Sequence, residues 1–276
     1  YRLRVIDGYR VDADKFRDFL RLIAKMSDAA LKQLPDVPAK RLDTLRPAAR
    51  ILRHIINIGR PRHLVFSAQG LREGIIYEDL PEAKRKEDPL LAAAGDIARH
   101  FGRFAKMGPS IARWTEPLFK GENRAEKRLR EAASLLSDIG WVDHPDYRAP
   151  LVFERALTMP LPGIDHPARA FIAHALHARY EDEAGNKLRK TAASLGLSDE
   201  AAQRARAVGQ AIRLGYTIAT GREDSLAKTV LSAGEKLLIL SVPKLDGTYA
   251  GESVTKRLEE LSHALDLTPR ITTRGG

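Results

Sequence analysis

Apolar side chains recur with helical spacing along the first quarter of the chain. From Val11 to Met26, Phe16, Phe19, Leu20, Ile23 and Ala24 fall on one face behind an Asp-containing start, which predicts an amphipathic helix. Pro35 and Pro38 interrupt the pattern and predict a loop. A second helix is expected to begin near Asp43 or Thr44, either of which can accept hydrogen bonds from unpaired amides. Pro47 would then sit in its first turn, with Leu45, Ala48, Leu52, Ile55 and Ile56 as its stripe and Gly59 as its end. His63 to Ala68, entered through Arg60-Pro61-Arg62 and left at Gly70, reads as a short buried strand leading into a turn and another helix.

Pro81 to Asp88 (PEAKRKED) is almost wholly charged and has no apolar period, the mark of an exposed connection between domains. Helical spacing dominates after it. Ile97, Phe101 and Phe104 lie on one segment and Leu129, Ala132, Ala133, Leu136 and Ile139 on another, so a helical bundle is expected. Asp165 with Pro167 opens a helix carrying Phe171, Ile172, Ala175 and Leu176, and Ser198 caps a long one carrying Ala201, Ala205, Val208, Ile212 and Ala219. Beyond Gly221 the period changes: TVLS and KLLILSVP, separated by Ala233-Gly234-Glu235, predict a β-hairpin. Ser253 to Leu265 returns to helix through Val254, Leu258, Leu261 and Leu265, and Pro269 to Thr273 predicts a last strand. The fold class is therefore α+β and predominantly helical. No internal repeat is evident, and the terminal Thr-Arg-Gly-Gly reads as frayed.

A length of 276 residues leaves room for two or three domains. The chain opens at Tyr1, and YRLRVIDGYRV reads as a strand entering a turn, so a fragment without a signal peptide is the expectation. Lysine and arginine number 46 against 36 acidic residues, a net +10 that attracts polyanions without choosing among them. With no cysteine there is no thiolate nucleophile, disulfide or cysteine-bound zinc, and the cytoplasm is the expected compartment. The longest apolar runs, such as 237–242, fall far short of the roughly 20 residues that cross a bilayer.

Charge is concentrated between Lys40 and Arg62, where Asp43 is the sole acid. Arg46, Arg50 and Arg53 share a helical face opposite the apolar stripe and form a candidate track for a long polyanion, with a merely solvated basic face as the blander reading. Downstream, Arg72 and Glu73 stand between Gly70 and Gly74, whose backbone freedom suits a tight turn. An ion pair within that turn is the plainer role for Arg72, and contact with phosphate the sharper one.

The segment from Arg41 to Leu80 (RLDTLRPAARILRHIINIGRPRHLVFSAQGLREGIIYEDL), and SAQGLREG above all, resembles the end of the second actin-like domain in the exopolyphosphatase and guanosine pentaphosphate phosphatase family. There an Arg-x-Asp element opens a helix, a strand follows, and a Gly-Leu-Arg-Glu-Gly turn leads into the next helix, matched by Arg41, Asp43 and Gly70 to Gly74. The resemblance continues at lower sharpness through the helical region, which looks like an HD-type domain, and into the small α/β end. It implies a partial actin-like (RNase H-like) α/β domain at 1–85, an HD-like helical domain at 86–195, and a helix with a small sheet at 196–276.

Family members hydrolyse phosphoanhydride bonds of polyphosphate, or the 5′-phosphate of guanosine pentaphosphate, with magnesium and a carboxylate-activated water between two actin-like domains. The resemblance implies that those groups lie outside this chain, so no catalytic residue and no bound cofactor is assigned here; magnesium belongs to the full-length parent. It places Arg41 at the motif whose arginine faces the cleft, where a planar fork can grip phosphate oxygens. The implied partners are inorganic polyphosphate or guanosine penta- or tetraphosphate, and a second copy of the chain. HD hydrolases hold a metal with histidines and aspartates. Here the expected His-Asp pair reads Ser137-Asp138, His144 could match one following histidine, and Arg148 and Pro150 stand where others are expected. Asp138 and His144 are thus the remnants of a degenerate metal site, and no metal is assigned.

The alternative is a regulatory or scaffolding module that binds a guanosine tetraphosphate-type nucleotide or a protein. Nucleic acid follows from charge alone, without a motif, and is the distant third. His174 and His177, three residues apart, have a spacing that can share a metal, but lack a third ligand; an exposed or interface pair is the plainer reading. Trp114 and Trp141 read as core anchors rather than stacking platforms. No phosphate-binding P-loop, dinucleotide glycine fingerprint or HExxH motif occurs.

Overall fold

In the computed structural model, Asp12 accepts hydrogen bonds from the amides of Asp14 and Lys15 and so starts α1 (Ala13–Lys25). Asp12 also ends β1 (Arg10–Asp12), which pairs antiparallel with β2 (His63–Val65), Arg10 opposite Val65. Ser27 caps the short α2 (Asp28–Lys32), and α3 (Ala39–Gly59) packs on α1. Leu20, Ile23, Leu31, Ala49 and Ile56 form most of the small core. The structure describes residues 5–35, 37–104, 106–182 and 185–273, so the terminal Arg274-Gly275-Gly276 lies outside it, as do Tyr1 to Arg4. Contacts divide the chain once, into Ile6–Gly70 and a larger unit from Leu71 onward.

Four expectations for this first unit need correction. Helix α3 begins behind Pro38, not at Asp43 or Thr44, so Pro47 lies within it. The Thr44 hydroxyl donates to the Arg41 carbonyl at 2.9 Å, bonding inside the helix instead of capping it. Strand β2 is not buried, since Val65 is 66% exposed on an edge with a single neighbour. The apolar stripe of α3 is split: Ala49 and Ile56 face α1, while Ile51, Leu52, Ile55 and Ile58 form an exposed apolar strip. Finally, α2 occupies residues that carried no helical expectation.

The larger unit opens with α4 (Leu71–Glu78) and α5 (Glu82–Arg85), both fully exposed. Arg72, Glu73 and Gly74 are therefore helical residues, not a tight turn, and a Cβ on Gly74 would meet nothing within 4 Å. Asp88 caps α6 (Pro89–Phe101), followed by α7 (Met107–Thr115), α8 (Arg124–Leu135), α9 (Pro145–Thr158), α10 (His166–Ala178), α11 (Asn186–Ser194) and α12 (Asp199–Ala219). Asp165 and Ser198 cap α10 and α12 as the sequence predicts, accepting from the amides of Ala168 and Ala201. On α6 the buried residues are Leu90, Ala94 and Ala98; Phe101 is exposed and Phe104 lies beyond the helix end.

After α13 (Glu223–Ala227), β3 (Val230–Ala233) and β4 (Leu237–Val242) form the expected hairpin, Leu231 opposite Leu240. Two further helices, α14 (Gly247–Ala250) and α15 (Glu252–Leu265), lead to β5 (Thr268–Thr273), which pairs parallel with β4, Leu240 opposite Ile271. The alternating burial of β4 places Leu238, Leu240 and Val242 in the core. The described residues are thus predominantly helical with two small sheets. Among the described residues no helix is long and apolar enough to cross a membrane.

Helix α10 is the axle of the larger unit, packed by α8, α9, α11 and α12 and buried along nearly its whole length. Its approach to α12 is closest at Gly209, where an added Cβ would stand 2.3 Å from the Ala175 carbonyl oxygen and 2.6 Å from the Ala178 Cβ. Both obstacles are rigid. Gly209→Ala is expected to destabilise the larger unit by about 2–3 kcal/mol, whereas Gly74→Ala, in an open helix, should be neutral or stabilising by up to about 1 kcal/mol. Urea unfolding followed by circular dichroism measures both.

Candidate anion-binding site

The arginines singled out by sequence occupy unlike environments. Arg41 is exposed in the first turn of α3. Arg46 is committed to Asp28 by an ion pair, and its other nitrogen reaches the Met26 carbonyl at 3.5 Å. Arg50 is exposed and Arg53 half-buried on the same helix. Arg72 is exposed on α4, in the other compact unit.

Asp138 ends a 3-10 turn (Leu136–Asp138) that continues α8, and is 4% exposed. Its carboxylate accepts from the backbone amides of Arg103 at 2.8 Å and Phe104 at 3.3 Å, and from the Arg103 guanidinium at 3.2 Å. The Arg179 guanidinium stands 3.8 Å away. His144 does not share this environment: it is exposed at the start of α9, where its Nδ1 accepts from the Asp146 amide at 3.4 Å. Magnesium needs an octahedron of free oxygen ligands and waters, and the Asp138 oxygens, occupied by two amides and faced by two guanidiniums, do not fit it. Among the described residues no group of three or more His, Cys, Asp or Glu side chains is placed to hold a metal.

What surrounds Asp138 is a cradle of cations. Arg103, Arg148, Arg179, Arg213 and Arg257, with Tyr180, Tyr216 and Thr217, line a cavity of about 270 Å3. Arg179 lies between two rings, 4.3 Å from the Tyr180 centroid and 4.0 Å from that of Tyr216. Arg148 is aimed by hydrogen bonds to the carbonyl of Asp143 at 2.7 Å and that of Trp141 at 3.1 Å. Arg257 grips Glu260 at 2.6 Å, and Arg213 reaches the same carboxylate at 3.5 Å. Five guanidiniums therefore face the cavity with the carboxylates of Asp138 and Glu260 as the acids bonded to them. Burial lowers the pKa of Arg213, and the neighbouring Arg257 lowers it further, the response of a cation among cations. Burial raises the pKa of Tyr216, so its hydroxyl stays protonated; it is 3.2 Å from the Ser137 hydroxyl. The chemistry such an arrangement offers is the binding and orienting of an anion.

Sequence reading missed Arg103, Arg179, Arg213 and Arg257, and saw Arg148 only as an absent histidine. The available signal was polarity within a buried helix: Arg213, Tyr216 and Thr217 interrupt the apolar face of α12 at helical spacing. Trp141 is no core anchor. It is 38% exposed, with Arg103 5.1 Å from its ring, whereas half-buried Trp114 donates to the Thr229 hydroxyl at 3.0 Å.

His174 and His177 are also not an exposed pair, being 7% and 2% exposed. His177 packs edge-on against Phe153, and burial holds both rings' pKa down at about 4, helped at His174 by His177, Arg206 and Arg189. Since both folded values lie below the ordinary 6.5, their contribution to stability is full above pH 6.5 and is lost as the pH falls from 6.5 towards 4. The loss is expected to be on the order of 1–2 kcal/mol per histidine by about pH 5, read as a falling urea midpoint that His177→Phe makes less steep. Asp138→Asn leaves Arg103 and Arg179 without their shared acid, and should cost roughly 2–4 kcal/mol; added tripolyphosphate should raise the Tm of this variant more than that of the parent chain.

The family described as "Exopolyphosphatase, C-terminal" matches residues 90–268, which contain the whole cradle, and the one described as "Ppx/GppA phosphatase family" matches residues 2–83. No curated protein matches the chain. The segment that resembles an actin-like domain end and the helical region with its cradle are thus matched separately by two parts of one phosphatase family, and the chain belongs to the Ppx/GppA exopolyphosphatase family.

Proposed function

We propose that this chain is the polyphosphate-binding carboxy-terminal part of a magnesium-dependent phosphoanhydride hydrolase, and that it supplies binding and interdomain or dimer contacts while the bond-breaking groups and the magnesium belong to the rest of the parent. One observation carries the reading: five guanidiniums converge on one cavity with a deficit of carboxylate, an arrangement that an incoming polyanion stabilises. Planar guanidinium forks suit the repeated oxygens of a phosphate chain.

The domain reading goes with it: the end of an actin-like domain at 1–85, an HD-like helical domain at 86–195 and a small α/β domain at 196–276. The exposed apolar strip of α3 is consistent with a domain half that packs on further chain. On the first unit, Arg41, Arg50 and Arg53 would offer phosphate a track of their own, with Arg46 contributing less because Asp28 holds it, and exposed Arg72 on α4 would be a separate phosphate contact. A second reading has its own observation. Exposed Trp141 beside Arg103 offers a stacking surface next to cations, which suits a guanosine tetraphosphate-type nucleotide.

Long polyphosphate should bind saturably, with affinity that falls steeply as salt screens the arginines. Arg257→Gln and Arg213→Gln should each weaken it roughly tenfold, measured by fluorescence polarisation of end-labelled polyphosphate. Salt-independent binding, or variants as tight as the parent, would sink the proposal. A guanosine tetraphosphate that competes at equal charge and loses affinity on Trp141→Ala would favour the nucleotide reading instead.

A further inference from the structure

A cavity of about 470 Å3 opens between α7, α13 and β3 and shares no lining residue with the arginine cradle. Its volume lies within the roughly 300–1,000 Å3 of small-molecule sites. Trp114 forms one wall and is held at two points. Its Nε1 donates to the Thr229 hydroxyl at 3.0 Å, which in turn donates to the Leu226 carbonyl at 2.9 Å. On α12, a Cβ added to Gly215 would stand 3.6 Å from the ring's Cε3. The one polar atom of this half-buried indole is thus engaged with the protein, and the ring surface left to the cavity is hydrocarbon. Half-buried Pro117 and Val230 and exposed Ala227 continue the apolar wall.

The polar groups of the cavity are arranged about the Ser110 hydroxyl, which accepts from the Arg113 guanidinium at 3.2 Å and donates to the Glu223 carboxylate at 3.3 Å. Base and acid therefore lie within two hydrogen-bond lengths of one another. Neither forms an ion pair with the other or with any further described residue, and Asp224, next to Glu223 and also lining the cavity, has no cation either. All four side chains have open surface: Ser110 and Glu223 are half-buried, Arg113 and Asp224 exposed. A phosphate here would meet two carboxylates for one guanidinium, and a metal ion would meet that guanidinium. A zwitterion meets a partner at each end.

We propose that this cavity binds a free α-amino acid with an apolar side chain. Its carboxylate accepts from Arg113, its ammonium donates to Glu223 with Asp224 as the outer acid, and its side chain lies on Trp114, Pro117 and Val230. The site does not rest on the reading of the cradle. Ion pairs this open to water contribute little affinity, so the apolar contact supplies most of the binding and the two charged ends supply the selection.

The test is isothermal titration calorimetry of the full chain at pH 7 with four probes. These are L-phenylalanine, 3-phenylpropionate without the ammonium, phenethylamine without the carboxylate, and glycine without the side chain. L-phenylalanine should bind saturably, and each of the other three roughly tenfold more weakly. Glu223→Gln should remove most of the preference over 3-phenylpropionate, and Arg113→Gln most of the preference over phenethylamine. That matching of variant to analogue is a coupling that a merely structural change does not produce. No saturable heat with L-phenylalanine, any analogue that binds as tightly as it does, or variants that weaken all four probes alike would each overturn the proposal.

Discussion

The close crossing of α10 and α12 at Gly209 is the constraint on which the larger unit depends. Only a residue without a side chain allows the α12 backbone to lie against the Ala175 carbonyl and Ala178. The neighbouring Gln210 then donates to the Ala178 carbonyl at 3.1 Å and to Asp182 at 2.9 Å, tying the end of α10 to α12. That contact sets Arg179 and Tyr180 beside Arg213 and Tyr216 on one side of the crossing. The cradle is thus a consequence of one backbone approach, with helical period distributing the side chains about it.

The unit uses arginine in two ways that differ in how the charge is answered. Arg130 is 1% exposed and bonded to Glu122 through two nitrogens, at 2.5 and 3.0 Å, and to the Ala112 carbonyl at 2.6 Å. Glu122 also accepts from Arg204 at 2.9 Å, and both guanidiniums lie within 6 Å of the Phe119 ring. This network joins α7, α8 and α12, and its charges are answered inside it: Arg130 and Arg204 share the Glu122 carboxylate, and the Arg204 Nε stands 3.9 Å from Glu126, as burial of charge requires. The cradle is the open counterpart. Its arginines are aimed by backbone carbonyls, rings and two shared carboxylates, which orient guanidiniums without neutralising all of them.

Signals local in the chain were legible from sequence, and long-range ones were not. Asp165 and Ser198 announced their helices because capping is settled within three residues, and the hairpin of β3 and β4 because alternation and a turn suffice. The family resemblance rested likewise on one continuous segment, Arg41 to Leu80, and on SAQGLREG within it above all. The start of α3 was misread because Asp43, Thr44 and Pro47 carry first-turn chemistry that a longer helix absorbed. Its stripe was read as wholly buried because periodicity reports which residues share a face, not whether that face is covered. The cradle was invisible for a different reason. Its arginines, at positions 103, 148, 179, 213 and 257, come from different elements, and no spacing links them before the fold does.

Asp138 shows how one buried carboxylate can support opposite chemistries. Surrounded by imidazoles and further carboxylates it would belong to a cation site, because neutral and anionic donors together favour a metal ion. Surrounded by Arg103, Arg179 and two backbone amides, it instead offsets part of the repulsion among guanidiniums that would otherwise splay the cavity. The acid is the same, and its neighbours decide the sign of the ligand. Arg148, at a position where the resemblance led one to expect a histidine, adds a fixed positive charge to this cavity, and a cavity lined by five guanidiniums attracts an anion and repels a cation.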